Sequence, residues 1–142
     1  MNQDQIYSQL LSYLKKEHLK DFEREINRLF QIKENRDSPV LLNLYGVFLE
    51  IKKDFNKAIQ FFAKCISINK SYAPPYLNLG RLYLHFKMYK SSIDFLKKYL
   101  NLEENEFDGE YFLARAYYFN YEYKNAIDLL EKIYTKYENK ID

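Results

Sequence analysis

A chain of 142 residues suits one domain with an ordinary core and leaves no room for a separate catalytic domain. With 47% apolar residues, 30% charged residues, three glycines and three prolines, it reads as ordered and helical rather than disordered. Its 22 basic and 20 acidic side chains are interspersed and nearly cancel, so no strong field marks a nucleic-acid binder, and its one cysteine, Cys65, excludes an internal disulfide and agrees with a reducing compartment.

The segment Met1-Asn2-Gln3-Asp4 has no basic flank before an apolar run, and no run approaches the roughly 18 residues of a membrane helix. A cytoplasmic location without membrane contact is therefore expected. Apolar residues then recur at three- and four-residue steps: Ile6, Leu10 and Leu14, followed by Phe22, Ile26, Leu29 and Phe30. They predict helices over 3–16 and 20–33, with His18 solvated in the turn between them. Ser38-Pro39, a cap residue before a proline at the first helical position, starts a helix over 39–52, and a second follows over 55–68. Pro74-Pro75 opens a pair over 73–86 and 89–102. The polar connection 101–108 carries Glu103, Glu104, Glu106 and Asp108, whose negative charge favours a helix start, and the last pair is predicted over 107–120 and 123–138.

These pairs carry an internal repeat: the interval from Gly46 to Gly80 is met again from Gly80 to Ala114. Ile59, Ile93 and Ile127 keep the same step, as do Leu79 and Leu113, Tyr83 and Tyr117, and Lys64, Lys98 and Lys132. Ala58, Ser92 and Ala126 place a small residue near the start of each second helix. A sustained period of this length signals stacked supersecondary units, in which a small residue marks the close approach of two helices.

The third unit, Tyr76, Leu79, Gly80, Tyr83, Ser92 and Leu96, resembles the tetratricopeptide repeat, which has the same period and whose signature sets an aromatic, leucine-glycine, tyrosine, alanine and phenylalanine at these spacings. The second unit holds Leu42, Tyr45, Gly46, Leu49, Ala58 and Phe62 at these phases, and the fourth Glu110, Leu113, Ala114, Tyr117, Ala126 and Leu130. Glu110 departs from the aromatic, so the fourth unit is expected to be looser. Before Ser38 the match is weak: Lys20-Asp21-Phe22 recurs as Lys53-Asp54-Phe55, one position short of the repeat step and without a glycine. The resemblance implies an all-α, right-handed α-solenoid of antiparallel helix pairs. One domain over 1–142 is expected, with repeats at about 5–38 (degenerate), 39–72, 73–106 and 107–140.

No constellation suited to catalysis is legible: His18 and His85 belong to different units, Cys65 falls at a packing phase, and no glycine-rich phosphate loop exists. Neither enzyme activity nor a cofactor or metal is expected. The resemblance instead implies a protein or peptide partner on the inner face of each first helix. By phase the prominent positions are Leu44 and Val47, Asn78 and Arg81, then Phe112 and Arg115. Nearby lie Asn43, Glu50, Leu77, His85, Tyr111, Tyr118 and Phe119. Asparagine amides suit an extended peptide backbone, and two arginines one repeat apart suit carboxylates. The carboxylate clamp of chaperone-binding relatives is not reproduced here. Lys64, Lys98 and Lys132 are expected as a solvated outer row.

The last helix repeats the apolar pattern of the internal second helices through Ile127, Leu130, Ile133, Tyr134 and Tyr137, with no polar capping helix after it. This leaves open a tolerated surface, end-to-end self-association as a scaffold, or a longer parent chain. Family fusions also leave open an N-terminal targeting module of an enzyme such as a glycosyl or sulfo transferase.

Overall fold

The computed structural model describes residues 2–138. Local chemistry sets most helix starts. In α1 (Gln3–Lys15) the Asn2 side chain accepts from the Gln5 amide at 2.8 Å and the Gln5 side chain accepts from the Asn2 amide at 3.0 Å, a reciprocal capping box. Helix α2 (Leu19–Gln31) leads through a single 3₁₀ turn, Lys33–Asn35, to α3 (Pro39–Ile51), where Ser38 Oγ accepts from the Leu41 amide at 3.4 Å. Asp54 caps α4 (Phe55–Ile68) in the same manner. Proline opens α5 (Pro74–His85), and α6 (Tyr89–Leu102) follows. The Glu106 carboxylate accepts from the amides of Asp108 and Gly109 at 3.3 and 2.7 Å at the head of α7 (Phe107–Phe119), and α8 (Tyr123–Glu138) is the last described helix. Among the described residues, all eight α-helices lie within a residue or two of the predicted spans, and no strand occurs.

The turns joining the later pairs are copies of one another. Lys53, Lys87 and Tyr121, each one repeat step from the next, adopt the left-handed conformation at φ 63°, 61° and 64°. Each lies just past the end of a first helix, and the next amide reaches back to close the turn: Asp54 to the Leu49 carbonyl at 2.8 Å, Met88 to Tyr83 at 2.9 Å and Glu122 to Tyr117 at 2.9 Å. Glycine is the favoured residue there, because a Cβ crowds the backbone.

The chain divides into two compact units, residues 1–72 and 73–142. In the first, α1–α4 bury Leu10, Phe22, Ile26, Phe62 and Cys65 completely, and the Phe22 and Phe48 rings stack at 5.1 Å. A Cβ on Gly46 would lie 2.5 Å from the Phe62 ring, so α3 and α4 meet at this separation only because the side chain is absent. The Cys65 thiol donates to the Pro39 carbonyl at 3.4 Å, and burial pushes its pKa up to about 12. It is a core residue, as its phase implies.

In the second unit a Cβ on Gly80 would lie 2.5 Å from Leu96 Cγ, and the buried Ser92 hydroxyl donates to the Gly80 carbonyl at 2.6 Å, fastening α6 to α5. One apolar cluster then joins the two pairs of this unit. It is built on Leu84, Ile93, Leu96, Leu113 and Ala116, with Leu77, Tyr89, Leu100, Phe112, Tyr117 and Leu129 packed around them.

Glu110 changes the expected picture of the last pair. It is 1% exposed and its carboxylate faces Lys132 and Lys136 of α8, each at 3.3 Å, while Lys136 also donates to the Asn105 carbonyl at 2.7 Å. Where the third pair has Tyr76, the fourth has an ion-paired tie between its helices. Lys132 is thereby engaged, and its counterparts also have neighbours: Lys64 approaches Asp37 at 3.6 Å, and Lys98 sits 5.6 Å from the Phe95 ring centroid. His18 occupies the position before α2 and lies 3.5 Å from Asp21, largely exposed.

Candidate functional site

The residues expected to meet a partner fall on three first helices. On α3, Asn43, Val47 and Glu50 follow one another at helical spacing, but Asn43 is only 7% exposed and the other two are half-buried. Asn43 is therefore not an open contact residue. Its phase is that of Leu77 in the third pair, which packs into the core. Leu44 is also buried, at 3%.

On α5, Asn78 and Arg81 are half-buried, and His85 is exposed at the helix end with its ring edge-on to Phe86 at 5.1 Å. Arg115 of α7 is exposed, its guanidinium 5.8 Å from the Tyr111 ring centroid. Tyr111 in turn stacks on Phe107 at 5.9 Å with the ring planes 4° apart. Phe107 is 43% exposed and escaped the sequence reading because it is the first residue of its helix; the four-residue step to Tyr111 was the available signal. Phe119 stacks on Tyr89 at 5.6 Å and touches Tyr118 edge-on, and Tyr118 meets Tyr123. Helices α5 and α7 pack against each other within this unit, so the arginines at equal phase, Arg81 and Arg115, belong to neighbouring helices.

A second surface emerges from the same repeat arithmetic. Leu77, Leu84, Tyr89, Ile93, Leu96 and Leu100 are the contributions of the third pair to the cluster that joins it to the fourth. Moving each forward by one repeat gives Tyr111, Tyr118, Tyr123, Ile127, Leu130 and Tyr134. All six are exposed, from 41% at Tyr111 to 65% at Tyr134. Tyr111 and Tyr118, expected at the inner lip, thus occupy phases that serve stacking in the preceding pair. A shallow hollow on α8 is lined by Ile127, Leu130, Glu131, Tyr134 and Thr135.

Among the described residues, no group of three histidine, cysteine, aspartate or glutamate side chains is placed to hold a metal ion. No described helix is long and apolar enough to cross a membrane.

The family model of the tetratricopeptide repeat matches residues 40–72 and 73–106, two successive helix pairs of this structure. Residues 40–106 are two tetratricopeptide repeats. Solved structures agree on the fold. A crystal structure of MamA superposes with a TM-score of 0.80 at 17% identity, covering 97% of this chain and 80% of that one. A second MamA crystal structure gives 0.78 at 17% identity over 97% and 74% of the two chains. A MamA fragment from Desulfovibrio magneticus RS-1 gives 0.77 at 17% identity over 93% and 73%. At this identity the likeness is one of fold, that of an α-solenoid of antiparallel helix pairs. No curated protein sequence matches the chain significantly. Its tetratricopeptide repeats support a protein-interaction or scaffold role.

Proposed function

We propose that this protein is a non-catalytic adaptor that holds a peptide or protein segment against its first helices, with Arg81 and Arg115 selecting an acidic ligand. The pairing of these two residues carries the reading: guanidinium groups at equal phase on helices α5 and α7, which pack together. Packed helix axes lie roughly 8–10 Å apart, about the span of three residues of extended chain. Carboxylates two residues apart share one face of an extended peptide and lie about 7 Å apart, so with long, flexible arginine side chains they would meet both guanidinium groups, each through a bidentate pair. Asn78, one turn before Arg81, offers an amide that both donates to and accepts from a peptide backbone. Tyr111 already flanks the Arg115 guanidinium and adds aromatic surface of the kind enriched at recognition sites. The single buried thiol fits a reducing compartment such as the cytoplasm.

Panning a random peptide library on the immobilised protein tests this reading. Enriched peptides should carry acidic residues at a two-residue spacing and lose roughly tenfold in affinity on the Arg81→Ala/Arg115→Ala variant, about 1.4 kcal/mol. Enrichment without acidic residues, or equal binding to the variant, would refute the groove as described.

A further inference from the structure

We infer that the exposed end of the second unit is a self-complementary interface, through which two copies of this chain pair about a two-fold axis with α8 antiparallel to α8. The surface is a translated copy of a working one. The six positions that join the third pair to the fourth have exposed counterparts in the fourth, and every one of those counterparts is apolar or aromatic. On α8 the side chains Tyr123, Ile127, Leu130 and Tyr134 are spaced four, three and four residues apart, the alternation of a coiled-coil seam.

Head-to-tail stacking would need a matching apolar patch at the other end of the chain. The first helix pair lacks one: among the large apolar side chains of α1 and α2, only Tyr7 is exposed, at 39%. With no such patch on α1 and α2, pairing of the surface with its own copy is the arrangement that covers it, which is the isologous one.

Charge fixes the direction. Beside the seam, Lys124 follows Tyr123 and Glu131 follows Leu130. Both are exposed. An antiparallel pairing that sets Tyr123 opposite Tyr134 and Ile127 opposite Leu130 of the second copy brings Lys124 of each copy beside Glu131 of the other, two symmetric ion pairs. In a parallel pairing the two charged positions of one copy and those of the other lie on opposite sides of the seam, and neither ion pair forms. The tyrosine of one copy then enters the hollow between Ile127, Leu130 and Tyr134 of the other. Six residues a side is well below the roughly 20–30 of a standard interface, so the dimer belongs to the weak, concentration-dependent class.

Sedimentation equilibrium of the full chain from about 5 to 500 μM is the test. The wild type should pass from monomer to dimer across this range. Lys124→Glu and Glu131→Lys should each weaken self-association about tenfold or more, while an equimolar mixture of the two variants should form a one-to-one heterodimer, because their charges then complement one another at both contacts. Leu130→Asp should be monomeric with an unchanged circular dichroism spectrum. A wild type still monomeric at the highest concentration overturns the inference. So do charge-reversal variants that dimerise as tightly as the wild type, or fail to pair in mixture.

Discussion

Helices α6 and α8 hold the same place in the two helix pairs of the second unit, yet Leu96 is wholly buried whereas Leu130 is 44% exposed, and Ile93 is 7% exposed against 52% for Ile127. The residues at these phases are identical, so the difference lies in what covers them. A repeat is an incomplete unit of folding: its second helix presents apolar side chains that become core only when a neighbour arrives. Intrinsic helix preference then counts for less than position in the stack.

The largest expected effect follows directly. Leu96→Ala should cost about 2–5 kcal/mol by urea denaturation, as a truncation in a filled core, while Leu130→Ala in dilute solution should cost less than about 1 kcal/mol. Equal losses would mean that α8 is covered in solution within a single chain, and the contrast between the helices would collapse. A smaller effect probes what sets the spacing within the third pair. Gly80→Ala pushes a Cβ into Leu96 and should cost about 1–3 kcal/mol, whereas Ala114, native at the same phase of the fourth pair, should lose only about 1 kcal/mol on change to glycine, through backbone entropy. If Gly80→Ala proves neutral by the same measurement, the spacing of α5 and α6 is not set by the missing side chain. The smallest effect concerns what the two pairs share. Lys87→Gly and Tyr121→Gly should each raise stability by about 0.5–1 kcal/mol by relieving a left-handed backbone, and a loss at either position would show that its side chain stabilises the turn.

The helices were legible because their signals are local: Ser38 as a cap, proline at the openings of α3 and α5, and three- and four-residue apolar steps. The shared phase of Gly46, Gly80 and Ala114 then identified which helices pair. Burial at the candidate site was less legible, since it depends on neighbours distant in sequence. Asn43 looked like a surface amide on an amphipathic helix, but its phase is one that packs inward. Glu110 looked like a defect in the repeat signature. Only the placement of Lys132 and Lys136 on the following helix shows a compensated carboxylate in the core. Tyr111 and Tyr118 were read from the repeat's inner-face rule, and the core cluster shows that their phases also serve packing between pairs.

The solitary thiol of Cys65 gives the molecule an internal clock. It lies on α4, closed off completely, with its proton directed at the Pro39 carbonyl of α3, and α5 to α8 contain no second cysteine. Attack by a disulfide reagent requires thiolate, which burial suppresses by raising the pKa from 9.0 to about 12. Labelling near neutral pH therefore proceeds through opened molecules, and its rate counts how often α4 exposes this side chain. The same burial sets a pH signature: its contribution is fully present below about pH 9 and is lost as pH climbs toward 12, where only the unfolded chain gains by ionising. One sulfur atom thus makes the breathing of the core around it measurable without altering a residue.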